Sequence, residues 1–466
     1  MTSGAATSTT TTLLRNASGL LTGLPGAAAR HPGPDLRMEG QRIAAIGHLQ
    51  PLPGETVLDA SNCVIYPGWV NTHHHLFQSL LKGVPAGINL QLVPWLSAVP
   101  VAYRRFVTED MLRTAARVGM AELVLSGCTT IADHHYAYWP GMGYDASQLL
   151  FDVAAEFGVR FVLLRGGATQ VRAIDVNPPP EARPETLHGM LASVQRDVQR
   201  FHQSGGGAMQ KVVLAPTTPT WSVPPGELKE FARAARSMGI GLHSHMSESL
   251  DYVHHCQEVH GCLPIEFGER HEWLGPDVFY AHLVHLQPSE LKLLQSTGTA
   301  MSHCPQSNCR LGSGIAPAPA LAAMGGRVSI GVDGAASNEA ADMISETHTA
   351  WLVHRARDGA AATTVEEVVR WATAGGADVL GLHEVGTLQV GQQADLAVYA
   401  LDDLRYAGLH DTLIGPVAAA GSARLRHLFV AGRPVVSGGV IPGFDQGQLL
   451  REARAQVALM VGRVQG

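Results

Sequence analysis

The segment NTHHHLFQ, residues 71–78, decides the fold because it sets a His-x-His pattern directly after an apolar run. The run CVIYPGWV at 63–70 has the composition of a strand, whose alternation puts His73 and His75 on one face and His74 on the other. With 23 histidines in 466 residues, such a pair is expected by chance about once. The pair gains meaning only from similar segments later in the chain.

Three later segments also place a histidine or an acid where an apolar run ends: LHSHMSES at 242–249, which repeats the His-x-His pattern, FYAHLVHL at 279–286 and SIGVDGAASNE at 329–339. A strand that ends in a metal ligand or an acid, repeated with helical stretches between, is typical of a (β/α)8 barrel with its chemistry at the C-terminal rim. The runs that can serve as its strands are VIYPGWVNTH, TTIADHHY, RFVLLR, KVVLAPTT, IGLHSH, VFYAHLV, TAMSHCP and RVSIGVD. The pattern predicts an α/β protein with a TIM-type barrel and the chemistry of a metal-dependent hydrolase.

Both ends of the chain carry a second kind of pattern. Three short β-like runs at 9–23, 35–47 and 55–67 precede the barrel, and more follow residue 384. Neither set is large enough to fold alone. We therefore predict that 1–66 and 384–466 form one small β-sandwich, with a terminal helix at 447–463, beside a barrel at 67–383. The stretch 76–105 is long for a connection between a strand and its helix and predicts a lid.

Composition and net charge indicate which classes of binding partner to expect. The net charge is −7, the pI is near 6.4, and no block of Lys or Arg alternates with aromatic residues, so neither nucleic acid nor a membrane is expected to bind. The start of the chain does not resemble a secretory signal, and six scattered cysteines indicate reduced thiols. We expect a cytoplasmic homo-oligomer that binds a small molecule and water.

The motifs together resemble one known family. The stretches PGWVNTHHHLFQ, SGCTTIADHHY, LHSHMSE, AHLVHL, SHCPQSNCRLGSGIAP, SIGVDGAASNE and VGTLQVGQQADLAVY look like the amidohydrolase superfamily, within it the cytosine-deaminase-like aminohydrolases of purines, pyrimidines and triazines. NTHHHLFQSL and LRYAGLHD are most similar to the branch that contains 8-oxoguanine deaminases. The resemblance implies hydrolytic deamination of an amino-substituted N-heterocycle such as 8-oxoguanine, with release of ammonia.

The resemblance also implies roles for individual residues. It makes His73, His75, His245 and Asp333 the ligands of one divalent metal ion, where spacing alone leaves His243 and His245 as alternatives. Zinc is the expected metal and Fe²⁺ the alternative. Glu248 matches the proton-shuttling glutamate, His282 the histidine that contacts the attacking water or the oxyanion, and Asp333 the acceptor of the water's proton. Three imidazoles and one carboxylate leave Zn²⁺ with one net positive charge, which lowers the pKa of a coordinated water. A second metal would need a bridging lysine, and Lys211 stands at the wrong end of its strand.

Two departures from the family pattern bear on the substrate. Relatives that accept adenosine-type nucleosides tend to have an acid where this chain has Val93, and a histidine where it has Thr217 and Thr218. Both departures favour a free base. Gln78 and Trp95 are predicted substrate contacts, although backbone bonding and core packing are the alternatives. Arg165 and His303 at strand ends are further pocket candidates.

Several alternatives stay open at this level. Glu248 also fits a helix start, and the pairs at 134–135 and 254–255 fit surface or packing histidines. A triazine aminohydrolase or chlorohydrolase, ring opening of a cyclic amide, and an adenosine-type deaminase would use the same metal site. A non-catalytic scaffold would show eroded ligands, and the sequence shows none.

Overall fold

Eight parallel strands form the centre of the computed structural model, which describes residues 10–172, 180–419 and 423–465. They lie side by side in chain order: Trp69–Asn71, Cys128–His135, Arg160–Arg165, Gln210–Leu214, Leu242–Met246, Val278–His282, Ala300–His303 and Val328–Ile330. Backbone hydrogen bonds from Thr72 to Ile330 and from Asp333 to His73 join the last strand to the first. The sheet therefore closes into a barrel, and the predicted (β/α)8 fold is confirmed.

Helices cover the outside of the barrel. The longer ones are Glu109–Leu125, Ala146–Phe157, Leu187–Phe201, Pro225–Ser237, Leu250–His260, Pro264–Arg270, Pro288–Thr297, Pro305–Arg310, Ala318–Ala323, Met343–Asp358 and Val365–Arg370, the last continuing through Trp371–Gly375 and Gly376–Val379. The first shows why such a helix begins where it does: the Thr108 hydroxyl accepts from the amide of Met111 at 3.3 Å, and Glu109 and Asp110 occupy the first turn. Caps of this kind satisfy free amides and oppose the helix dipole.

Two further sheets form a separate sandwich. One has four strands, Thr11–Arg15, Asp35–Glu39, Arg42–Gly47 and Thr56–Asp59; the other has six, Gly19–Leu21, Arg30–His31, Cys63–Pro67, Leu396–Ala400, Arg424–Val430 and Arg433–Ser437. Residues 63–67 pair with 396–400, so strands from both chain ends share one sheet as predicted. The domain limits at 66/67 and 383/384 stay predictions.

Three predicted runs are each divided between sheets. The run VIYPGWVNTH was expected as one barrel strand, but Cys63–Pro67 belongs to the sandwich and only Trp69–Asn71 to the barrel. The division falls at Gly68, where a Cβ would lie 2.2 Å from the side chain of Thr129. The runs 9–23 and 55–67 likewise each contribute one strand to each sandwich sheet, and the first of them turns at Asn16, whose φ is 67°.

The predicted lid, residues 76–105, consists of short helical pieces at Leu76–Leu80, Pro85–Gly87, Leu92–Leu96, Ser97–Val101 and Ala102–Arg104. Other short helices are Gly26–Ala29, Pro180–Ala182, Leu404–Tyr406 and Gly415–Ala418, and the terminal helix runs from Gln446 to Gln465. Among the described helices, none is both long and apolar enough to cross a membrane.

Candidate metal centre and active site

Four of the predicted site residues meet at the C-terminal rim of the barrel. His73 and His75 follow the first strand, His245 lies near the end of the fifth, and Asp333 follows the eighth. The Nε2 atom of His75 is 3.2 Å from His245 Nε2 and 3.1 Å from Asp333 Oδ1, and His73 Nε2 is 3.3 Å from the same oxygen. The barrel thus brings together side chains that are up to 260 positions apart in the sequence.

The outer nitrogens of these rings fix their tautomers. His75 Nδ1 donates to the carbonyl oxygen of His134 at 2.7 Å, and His245 Nδ1 donates to that of Thr217 at 2.6 Å. Because a carbonyl can only accept, a neutral ring in either position has its lone pair on Nε2. The two Nε2 lone pairs then face each other at 3.2 Å. Such a pair repels unless a cation lies between the nitrogens.

The first histidine of the second pair plays a different part. His243 Nδ1 donates to the carbonyl oxygen of Phe279 at 3.0 Å, so His243 Nε2 accepts from His73 Nδ1 at 2.9 Å. This chain of donors also leaves the lone pair of His73 on Nε2, inside the cluster. The sequence left His243 and His245 as alternatives; the structure places His245 in the cluster and His243 behind it.

The cluster fits a divalent metal by geometry and by charge. Ligands about 2.0–2.1 Å from a tetrahedral zinc ion lie about 3.3–3.4 Å from one another, close to the separations seen here. Burial lowers the pKa of His245 to about 3, so that ring is neutral. Burial raises the pKa of Asp333, but the neighbouring His73 and His75 outweigh this effect and hold the pKa of the carboxyl well below its usual range, so it is ionised. Imidazoles with one carboxylate suit zinc and iron.

The lysine of the fourth strand does not reach the cluster, where it would have to bridge a second metal. Lys211 lies at the start of that strand, and its Nζ donates to the carbonyl oxygen of Gly381 at 3.0 Å. That position is at the opposite end of the barrel from the cluster. One metal ion per chain therefore stays the prediction, because Lys211 cannot bridge a second ion at the cluster.

Asp333 is oriented by two serines. Its Oδ2 accepts hydrogen bonds from the hydroxyls of Ser307 at 2.6 Å and Ser337 at 3.0 Å, whereas Oδ1 faces the histidines. The two carboxylate oxygens therefore have separate surroundings, and only Oδ1 points towards the cluster.

Glu248 and His282 stand beside the cluster. Glu248 Oε2 lies 3.5 Å from His282 Nε2, and His282 Nδ1 faces Asn308 Oδ1 at 2.9 Å. With the proton on Nδ1, His282 presents a lone pair at Nε2. Burial raises the pKa of Glu248 to about 7, so this carboxyl is available as an acid near neutral pH.

A cavity opens directly above these groups. Its floor is formed by His75, His245, Glu248, His282 and Asp333, and its walls by Gln78, Trp95, Arg104, Tyr136, Gln170, Arg172, Thr217, Thr218, Trp221, Ser222 and Tyr252, among others. Gln78 and Trp95 therefore lie where substrate contacts were predicted. Gln78 Nε2 donates to the hydroxyl of Tyr136 at 2.9 Å, while its Oε1 is buried without a partner among the residues described.

Arg165 and His303 were predicted to line the pocket, and the structure places both elsewhere. Arg165 makes two 2.8 Å hydrogen bonds to Glu185 and lies 3.6 Å above the Tyr138 ring. His303 Nε2 is 3.1 Å from His354 Nε2, towards the helix Met343–Asp358. A position at a strand end was not sufficient, because successive side chains of a strand point to opposite faces.

Other residues of the site were missed. Tyr136 ends the run TTIADHHY, so the rule that assigned chemistry to strand ends could have found it. His134 was interpreted as a surface or packing residue. It is fully buried, as the packing alternative expects, and its carbonyl oxygen accepts a hydrogen bond from His75 Nδ1. Arg104 lies in the predicted lid and Arg172 in a connecting segment. No sequence motif in either segment predicted that these arginines line the cavity.

Comparisons with known proteins give the family and the fold. A family model described as "Amidohydrolase family" matches residues 64–440. An isoxanthopterin deaminase from an unknown prokaryotic organism is 51% identical over 97% of this chain and 98% of its own length. An 8-oxoguanine deaminase from Pseudomonas aeruginosa is 38% identical over 88% of this chain and 90% of its own. The crystal structure of an atrazine chlorohydrolase from Arthrobacter aurescens TC1 complexed with zinc superposes with a TM-score of 0.89 at 25% identity, covering 96% of this chain and all of that one.

Proposed function

Because the chain belongs to the amidohydrolase family, we propose that it deaminates a free two-ring heterocycle with a 2-amino-4-oxopyrimidine ring, such as isoxanthopterin or 8-oxoguanine. One observation carries the proposal: a buried acid, Glu248, faces the same cavity as the His and Asp cluster. A proton donor beside a site for water activation is what hydrolytic loss of ammonia requires. Hydrolase chemistry on heterocycles is common to the relatives named above.

His73, His75, His245 and Asp333 would hold the divalent metal, which when bound supplies a water of lowered pKa. Asp333, ionised and oriented by its serines, accepts the proton of that water. His282 offers a lone pair, so it is suited to accept a hydrogen bond from the attacking water rather than to donate one to an oxyanion. Glu248 donates its proton to the ring nitrogen next to the amine-bearing carbon. Asp333 can then pass the proton taken from water to the leaving amine, and Glu248 regains a proton from the new hydroxyl as the carbonyl forms and ammonia leaves.

The substrate proposal rests on the walls of the cavity. Arg104 and Arg172 add positive charge, and Gln78 and Gln170 add amides, which together suit a ring that carries several oxo groups and ring N–H donors. Trp95 and Trp221 offer flat apolar surfaces for such a ring. The identity of 51% to an isoxanthopterin deaminase makes that pterin the first candidate, ahead of 8-oxoguanine.

A substrate panel tests the proposal. Ammonia release is measured with isoxanthopterin, 8-oxoguanine, guanine, isocytosine, guanosine, adenosine and a chlorotriazine, with chloride release followed for the last. We expect kcat/KM for a free two-ring base to exceed that of any nucleoside by at least roughly 10²-fold, about 2.7 kcal/mol in transition-state binding. Comparable activity on adenosine, or chloride release as the dominant reaction, would contradict it.

A further inference from the structure

His74, the middle histidine of the first segment, has no role in the chemistry described above. It is fully buried and points away from the cluster that contains its two neighbours. A buried histidine with a polar ring has to be satisfied by a specific partner. The identity of that partner assigns a function to His74.

The partner is the backbone of a predicted metal ligand. His74 Nδ1 lies 2.5 Å from the carbonyl oxygen of Asp333. Since a carbonyl only accepts, the ring carries its proton on Nδ1 and donates it. The amide of Asp333 in turn donates to the carbonyl oxygen of His73 at 3.0 Å. Both backbone polar groups of Asp333 are thus bound by the histidine segment.

Asp333 needs this support because its backbone is in the left-handed region, with φ at 59°. Non-glycine residues are uncommon there, and the conformation is held by its surroundings. The next residue, Gly334, has no side chain that could help to fix this conformation. A larger residue does not fit there, because a Cβ would lie 1.9 Å from Gln78 Oε1. The serines orient the carboxylate oxygen Oδ2, but they do not contact the Asp333 carbonyl.

We propose that His74 is a positioning residue of the metal centre: its Nδ1–H holds the carbonyl oxygen of Asp333 and thereby keeps this ligand in the left-handed conformation that aims Oδ1 at His73 and His75. Without the donor, the buried carbonyl is left unpaired and the peptide that follows Asp333 can rotate. The carboxylate then loses its fixed distance to the imidazoles, and metal affinity falls. This role of His74 rests on the proposed metal site and does not depend on the proposed substrate.

The test compares three substitutions at His74. In His74→Asn the amide nitrogen is as many bonds from Cα as Nδ1, so the donor is retained; in His74→Gln it is one atom too far, and in His74→Leu it is absent. Zinc affinity of the apoprotein is measured by competition with a chelator, together with the unfolding temperature of the apoprotein. We expect His74→Gln and His74→Leu to lower zinc affinity by roughly 10- to 100-fold, and His74→Asn to recover most of that loss.

A matched control separates this role from core packing. His135 is equally buried at the end of the next strand but lies outside the cluster, so His135→Leu is expected to leave zinc affinity unchanged. Wild-type affinity in His74→Leu would overturn the proposal. Equal losses in His74→Asn and His74→Gln would also overturn it, because only the position of the donor differs between them. If the leucine variant does not fold, the comparison of asparagine with glutamine decides.

Discussion

The two His-x-His segments have the same spacing but different geometry. In the first, both outer histidines bring Nε2 to Asp333 Oδ1, at 3.3 and 3.1 Å, because they lie beyond the end of strand Trp69–Asn71. In the second, both histidines lie within strand Leu242–Met246, so the first is two residues deeper and only supports His73. Where a motif stands relative to the end of its strand, rather than its spacing, decides which side chains reach the rim.

The segments also match three residues further on. Gln78 follows His75, and Glu248 follows His245, and both line the same cavity. One is an amide, which can only form hydrogen bonds, and the other is an acid with its pKa raised by burial to about 7. The first segment is therefore suited to binding the substrate and the second to proton transfer.

The largest effect is expected from removing a ligand in the second segment. His245→Ala takes away one imidazole of the cluster, so bound metal should fall well below one equivalent per chain. Activity should fall on the order of 10³-fold or more, since several kcal/mol of transition-state stabilisation depend on the metal. Metal analysis of the purified variant checks this, and full occupancy in a folded His245→Ala protein would remove His245 from the ligand set.

Glu248→Gln gives the second segment an amide three residues after its last histidine, as Gln78 is in the first segment. The amide keeps the shape but cannot transfer a proton, so kcat should fall by roughly 10²-fold or more while metal content stays near one equivalent. Near-normal turnover at saturating substrate would show that Glu248 does not carry the proton.

The same variant gives a pH test. A raised pKa keeps Glu248 protonated up to about 7, so the acid form is lost as pH rises through that value. A bound cation shifts the transition downward. We expect kcat/KM of the wild type to decline as the pH rises above this transition. The residual kcat/KM of Glu248→Gln should not show that decline. An unchanged profile in the variant would assign the titration to another group.

His243 tests the difference between the two segments most directly. His243→Ala removes the acceptor of His73 Nδ1–H without removing a metal-facing atom. Metal affinity should fall by roughly 10- to 100-fold, as for other partners that orient a ligand, while saturating metal restores most of the activity. A complete loss of binding like that of His245→Ala would make the two histidines equivalent and contradict the geometry.

The sequence predicted the barrel, and that the histidines and the aspartate at its strand ends meet, because strand ends of a barrel converge whatever lies between them. The choice of His245 over His243 came only from the family resemblance. The sequence could not divide VIYPGWVNTH at Gly68, since that break depends on the approach of Thr129 from the next strand. It also misplaced Arg165 and His303, because alternation along each strand turns these two side chains away from the cavity. Their partners Glu185 and His354 lie on later segments that the sequence did not connect to those strands.

The smallest effect is expected in the first segment, at Gln78. Its Nε2 is bound to the Tyr136 hydroxyl, which leaves Oε1 as the group that can accept a hydrogen bond from a ring N–H. Loss of one such bond costs about 1–1.5 kcal/mol, so Gln78→Ala should lower kcat/KM for the preferred base roughly tenfold, with metal content unchanged. Tyr136→Phe is the matched variant: it keeps the glutamine but frees its amide to turn, so a smaller loss is expected. Steady-state kinetics with metal analysis measure both, and a Gln78→Ala enzyme with wild-type kcat/KM would limit the role of the first segment to its histidines.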